Sequence, residues 1–273
     1  MKTIYHYIIL FLSVIFVFYF LILLLIYYFQ EKLIFYPEKL SKSHKFIFPG
    51  HFEEKWLNTT DGFILHSLLF TIKNPGGVIL YLHGNAGSLD TWGEIAPFYN
   101  QLGYDIFIPD YRGFGKSTGK IFSQQQMFDD ADSLYEYLKL NYPEDKIIVI
   151  GYSLGTGLAT YLASKHRPAK LVLLAPYYSF NDLIYDKYPI LPGFLLKYQF
   201  ATNQLIPKVK APIALFHGIK DELIPYQSSE RLIKICKPGD KIYLLESQDH
   251  AGLNENPTYK VLIKAFLIPK EVN

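Results

Sequence analysis

The chain has 273 residues, is 50% hydrophobic and 17% aromatic, and carries a formal net charge of +2. It is too apolar for a disordered polymer and long enough for one large domain with a sizeable core. Its cations are almost all lysine and form no block, so it lacks the charge signature of a nucleic-acid-binding protein. The single cysteine, Cys236, excludes an internal disulfide framework, and no Cys/His cluster has metal-ligand spacing.

Thr3 to Gln30 contains no Lys, Arg, Asp or Glu, and Ile8 to Tyr28 is almost wholly apolar. About twenty such residues cross a bilayer as a helix. Tyr5 and Tyr7 at one end and Tyr27 and Tyr28 at the other match interfacial aromatic belts. The run is too long for the core of a cleaved signal peptide, and no small-x-small cleavage site follows. Residues 1–30 therefore read as an uncleaved signal-anchor. Lys32, Lys39, Lys42 and Lys45 follow the span and only Lys2 precedes it, which favours a cytoplasmic position for the rest of the chain. Residues 31–50 read as a connector, with the main domain over 51–273.

Glu54 to Thr60 and Phe63 to Phe70 read as strands joined at Asp61-Gly62, a hairpin signal. Further strands are expected at Val78 to Leu82, Asp105 to Pro109, Lys146 to Ile150, Leu171 to Ala175, Pro212 to Phe216 and Lys241 to Leu245. Helices are expected at Trp92 to Leu102, Gln124 to Leu140, Thr156 to His166, Gln227 to Lys234 and Pro257 to Leu267. This alternation predicts an α/β fold. Its sheet is mostly parallel with about eight strands, an antiparallel N-terminal hairpin and helices on both faces. Residues 176–210 interrupt the rhythm with a Tyr-, Phe-, Leu- and Pro-rich stretch too long for a bare loop. A small lid is expected there.

Gly151-Tyr152-Ser153-Leu154-Gly155 stands between a β-branched strand and a helix, the setting of a nucleophile elbow. A serine needs a base to take its proton, and the base needs an acid to orient it. Of the eight histidines, only His250 lies on a loop after the last strand and downstream of a suitable acid. Asp221, on the loop after Pro212 to Phe216, is the preferred acid. Glu222 is its neighbour, and Asp249 is adjacent to His250 and poorly placed to face it. For an oxyanion, the backbone N–H of Leu154, after the nucleophile, and that of Asn85, in the loop His83-Gly84-Asn85-Ala86-Gly87, are the expected donors. Arg112, in the turn Asp110 to Ser117, is expected to hold that turn structurally.

Four ordered motifs together resemble the α/β-hydrolase superfamily. They are Leu82-His83-Gly84-Asn85-Ala86-Gly87, Asp110-Tyr111-Arg112-Gly113-Phe114-Gly115, Gly151-Tyr152-Ser153-Leu154-Gly155, and His217-Gly218 through Asp221 to Pro225. With Leu33-Ile34-Phe35-Tyr36-Pro37 after the apolar run, the chain is similar to the membrane-anchored Bem46-like and ABHD13- and ABHD17-like hydrolases. It departs from them in carrying Asp249 directly before His250, where that group usually has Gly-His. The resemblance implies a serine hydrolase with the triad Ser153, Asp221 and His250, requiring neither metal nor organic cofactor. The expected substrate is an ester or thioester, with a lipid or acylated molecule suggested by the membrane location. Tyr177, Tyr178, Phe194 and Phe200 are expected to wall the acyl pocket. Peptidase, amidase or acyltransferase chemistry on the same fold is the alternative reading, as is a non-catalytic binding role. The oligomeric state is not legible.

Overall fold

The computed structural model describes residues 2–268. The first helix, α1, runs Lys2–Ile34, past the apolar run and through Gln30, Glu31 and Lys32, which are good helix formers. Among the described residues it is the one helix long and apolar enough to cross a membrane, and its most apolar stretch is not buried against the protein.

After α1 come β1 (Tyr36–Pro37), β2 (His51–Asn58), β3 (Ile64–Thr71), β4 (Val78–Leu82) and β5 (Ala86–Gly87). The helices α2 (Leu89–Trp92) and α3 (Ala96–Gln101) follow, then β6 (Asp105–Pro109), α4 (Gln124–Lys139), β7 (Ile147–Tyr152), α5 (Gly155–Lys165) and β8 (Lys170–Leu174). The last part holds α6 (Phe180–Lys187), α7 (Thr202–Leu205), β9 (Ile213–Gly218), α8 (Gln227–Ile233), β10 (Lys241–Leu245) and α9 (Pro257–Leu267). The helix expected from Trp92 to Leu102 is instead broken into α2, a short 3-10 turn and α3. At the break, Gly93 lies against the Phe48 ring, which a Cβ would overlap.

Eight strands form one sheet in the order β10-β9-β8-β7-β4-β6-β3-β2. The neighbours from β10 to β6 are parallel, and β3 joins β6 and β2 antiparallel. The fold class expected from the sequence is the one observed. Central strands are buried on both faces, which is why they read as continuous apolar runs. Alternate side chains enter opposite layers: Val78, Leu80 and Leu82 join a cluster with Leu134, Leu158 and Leu162, whereas Ile79 and Tyr81 join one with Tyr99, Tyr259 and Ile263. Each side chain fully buried this way contributes about 1.5–3 kcal/mol.

The parallel order brings the loops after β4, β7, β9 and β10 to one edge of the sheet, where open α/β sheets bind ligands. Over that edge lies the insertion between β8 and β9, carrying α6 and α7. The stretch after α1 also reaches this edge. β1 pairs in parallel with β5, Tyr36 opposite Ala86 and Pro37 opposite Gly87. The Tyr36 N–H donates to the Asn85 carbonyl (2.8 Å), and the Glu38 N–H donates to that of Gly87 (3.0 Å). The stretch after α1 is thus hydrogen-bonded to the loop that follows β4.

Candidate active site

Ser153 has φ +51°, in the left-handed region that a residue with a Cβ adopts only under strain. Neighbours hold it there. Its N–H donates to the Leu174 carbonyl (2.8 Å), and its own carbonyl accepts from the Thr156 N–H (3.0 Å) and hydroxyl (2.6 Å). The flanking glycines are sterically required. A Cβ on Gly155 would overlap the Leu82 carbonyl, and one on Gly151 would lie 2.7 Å from the Ala159 Cβ. The strand and helix can then meet closely enough to turn the hydroxyl out at the sheet edge.

His250 Nε2 lies 3.0 Å from Ser153 Oγ, and its Nδ1 lies 2.7 Å from Asp221 Oδ2. The loop carrying it is fixed by the Tyr152 hydroxyl, which donates to the His250 carbonyl (2.5 Å). The Lys220 N–H, donating to the Gln248 carbonyl (2.9 Å), adds a second tie. Asp221 is buried. Burial alone would raise its carboxyl, but hydrogen bonds from His217 and His250 and the backbone N–H of Ile224 outweigh that and hold it well below the usual carboxylate range. Its other oxygen accepts from the N–H groups of Leu223 (2.9 Å) and Ile224 (2.8 Å).

His217 has a role that its sequence position alone does not assign. It is fully buried at the end of β9, with Nε2 2.8 Å from the Ile224 carbonyl and 3.3 Å from Asp221 Oδ2. A carbonyl only accepts, so Nε2 carries the proton. Nδ1 lies 2.7 Å from Ser229 Oγ. A second imidazole therefore braces the carboxylate. The signal for it was its place at a strand's carboxyl end, four residues before Asp221.

Asn85 and Leu154 both border the space in front of Ser153. No bond from either backbone N–H to a protein acceptor is found among the described residues, which leaves both free for a substrate oxygen. The Asn85 side chain is occupied: its Nδ2 donates to the Ile34 carbonyl at the end of α1 (2.8 Å). The turn after β6 supports the same loop, because the Tyr111 hydroxyl donates to the His83 carbonyl (2.7 Å). Arg112 borders neither cleft at Ser153. It makes paired bonds to Asp130 (2.6 and 2.7 Å) and Asp61 (2.5 and 2.7 Å). Arg112→Leu leaves the buried Asp130 charge unpaired and is expected to cost about 3 kcal/mol. A fall in the urea midpoint, with kcat/KM of the folded protein unchanged, checks this.

Two clefts meet at Ser153. One, of about 600 Å³, lies between the lid and α1 and is bordered by Ile22, Ile26, Leu33, Leu183, Ile184 and Leu191. The other, of about 570 Å³, is bordered by Thr91, Glu94, Tyr152, His250, Asn254 and Glu255. Of the four aromatic residues expected to wall the acyl pocket, only Tyr177 borders the apolar cleft. Phe200 is fully buried, packed against Phe128 and Tyr198. Tyr178 lies under the Arg231 guanidinium, 3.8 Å from its ring centre. Phe194 is 82% exposed. These three positions correct the expectation: the lid's composition marked it as apolar but had no periodicity to say which side chains face inward.

The sequence model of the family described as alpha/beta hydrolase fold matches residues 77–199. An uncharacterized protein of Mycobacterium tuberculosis, Rv2307c, is 32% identical over 210 residues, covering 75% of this chain and 74% of that one. The lysophosphatidylserine lipase ABHD12 of Macaca fascicularis is 30% identical over 188 residues, covering 61% of this chain and 47% of the lipase. The chain thus spans about half the length of that relative. The solved Pyrococcus furiosus esterase Pf2001 superposes with a TM-score of 0.67 at 20% identity, covering 85% of this chain and 98% of the esterase. The chain belongs to the α/β-hydrolase superfamily.

Proposed function

We propose that the protein is a membrane-anchored serine hydrolase that cleaves the carboxylic ester of a lipid-like substrate. The carrying observation is the continuous relay from Asp221 through His250 to Ser153, at 2.7 and 3.0 Å. Ser153 Oγ attacks the ester carbonyl as His250 Nε2 takes its proton. Asp221 accepts from Nδ1–H, fixes the tautomer and stabilises the imidazolium. The N–H groups of Leu154 and Asn85 receive the oxyanion. Collapse expels the alcohol, protonated by His250. Water activated by the same imidazole then releases the acid and restores Ser153.

The two clefts fit this division of labour. His250 borders only the second, more polar one, so the departing alcohol lies there and the acyl chain lies in the apolar one. The similarity to a lysophosphatidylserine lipase supports a lipid ester. A fluorophosphonate probe is expected to label the wild type and not Ser153→Ala. A folded wild type that stays unlabelled would defeat the hydrolase reading.

Membrane attachment rests on α1. Its 33 residues extend roughly 50 Å against about 30 Å of hydrocarbon, and the lysines after it favour a cytoplasmic domain. The full chain is expected to stay with membranes in carbonate, and release into the supernatant would count against the anchor.

A further inference from the structure

One face of α1 is built into the substrate cleft. Tyr19, Ile22, Ile26, Gln30 and Leu33 all border it, and their spacing of three and four residues puts them on one side of the helix. The helix is locked to the lid along that side. The Tyr19 hydroxyl donates to the Ile190 carbonyl (2.6 Å) and Gln30 Nε2 to that of Leu195 (2.7 Å). The Lys197 N–H donates back to Gln30 Oε1 (3.0 Å). Lys197 Nζ pairs with Glu31 (3.0 Å), which also accepts from the Tyr198 hydroxyl (3.1 Å). Gln30 is consequently buried although it ends an otherwise apolar run.

Tyr19, Ile22 and Ile26 belong to the apolar run Ile8 to Tyr28, whose length matches the hydrocarbon layer. With α1 as the membrane anchor proposed above, the end of the cleft bordered by them lies at the depth of lipid chains. The lid presents a matching edge: Tyr185, Tyr188, Ile190 and Phe194 are 56–82% exposed, a large apolar rim of the kind that meets a membrane or a partner. Its attachment to Tyr19 through Ile190 holds that rim beside the apolar run of α1. One cleft thus extends from the apolar run of α1 to Ser153.

We infer that α1 is a wall of the acyl site as well as a tether, and that a long acyl chain of the substrate enters sideways from the bilayer between α1 and the lid. This deepens the hydrolase reading and rests on it. The polar end of the substrate stays toward the second cleft, so the ester meets Ser153 without the chain crossing water.

The test uses the full-length protein in phosphatidylcholine vesicles. A long-chain alkyl fluorophosphonate with a diazirine at the far end of its chain is attached to Ser153 and photolysed. Crosslinks are expected within Tyr19 to Leu33 and Leu183 to Leu191. Crosslinks confined to residues 84–95 or 250–255 would overturn the inference. In parallel, Ile22→Trp and Ile26→Trp fill the cleft. The ratio of kcat/KM for long-chain over short-chain p-nitrophenyl esters is expected to fall at least about tenfold, and an unchanged ratio in both variants would overturn it. Failure of a short-chain fluorophosphonate to label Ser153 would instead count against the hydrolase reading.

Discussion

Ser153→Ala is expected to lose ester turnover on the order of 10⁶-fold, because it removes the hydroxyl that His250 Nε2 faces. His250→Ala should fall by a similar factor, and the double variant hardly further, since the two act as one unit. Single-turnover release of p-nitrophenol from a short-chain ester measures all three. Additive losses would mean that Ser153 and His250 act independently, despite their 3.0 Å approach. Retained turnover in Ser153→Ala would remove the nucleophile assignment altogether. The variant keeps the backbone bonds that hold the turn, so its fold should be intact by circular dichroism.

Asp221→Asn is expected to cost about 10⁴-fold in kcat. The amide oxygen can still accept from the N–H groups of Leu223 and Ile224, so the loop keeps its shape. What is lost is the charge facing His250 Nδ1, and with it the tautomer and the stabilised imidazolium. The same substitution has a pH signature in stability. The folded-state carboxyl of Asp221 titrates well below its ordinary value, so its charged form stabilises the native state. That contribution is complete above about pH 4 and is lost as pH falls through the lowered folded value. The gap in urea midpoint between wild type and Asp221→Asn should stay constant from pH 7 to about 4 and close only under stronger acid. A gap that closed near neutrality would mean that another group sets it.

Much of this was legible in the sequence because it follows from local rules. Val78–Leu82 and Asp105–Pro109 are apolar runs between turn residues, and both are strands over those bounds. The elbow glycines announced a close meeting of strand and helix with no room for a Cβ at positions 151 and 155. Ser153 followed from its pentapeptide between strand and helix, and Asp221 and His250 from their loops' order after it; the three side chains do meet. The remainder depends on contacts between distant segments. Nothing in Gln30 or Glu31 shows that they bond to Leu195, Lys197 and Tyr198, some 165 residues away. Phe200 and Phe194 look alike in sequence, yet one is in the core and the other on the surface. His217 could be read as the close of a strand, and only the fold turns its ring onto Asp221.

The pairing of Tyr36–Pro37 with Ala86–Gly87 makes the chemistry sensitive to how the chain leaves its first helix. Membrane tethers are commonly treated as interchangeable modules, removed to obtain a tractable protein or exchanged to redirect one. Here the emerging strand is laced to the loop that carries Asn85, and the helix end receives the Asn85 amide. A version beginning at residue 51 would lose the strand pairing and the Ile34–Asn85 bond that hold the loop after β4. Inserting or deleting one residue near Phe35 would therefore put the Ile34–Asn85 bond and the Tyr36–Ala86 pairing out of step with each other.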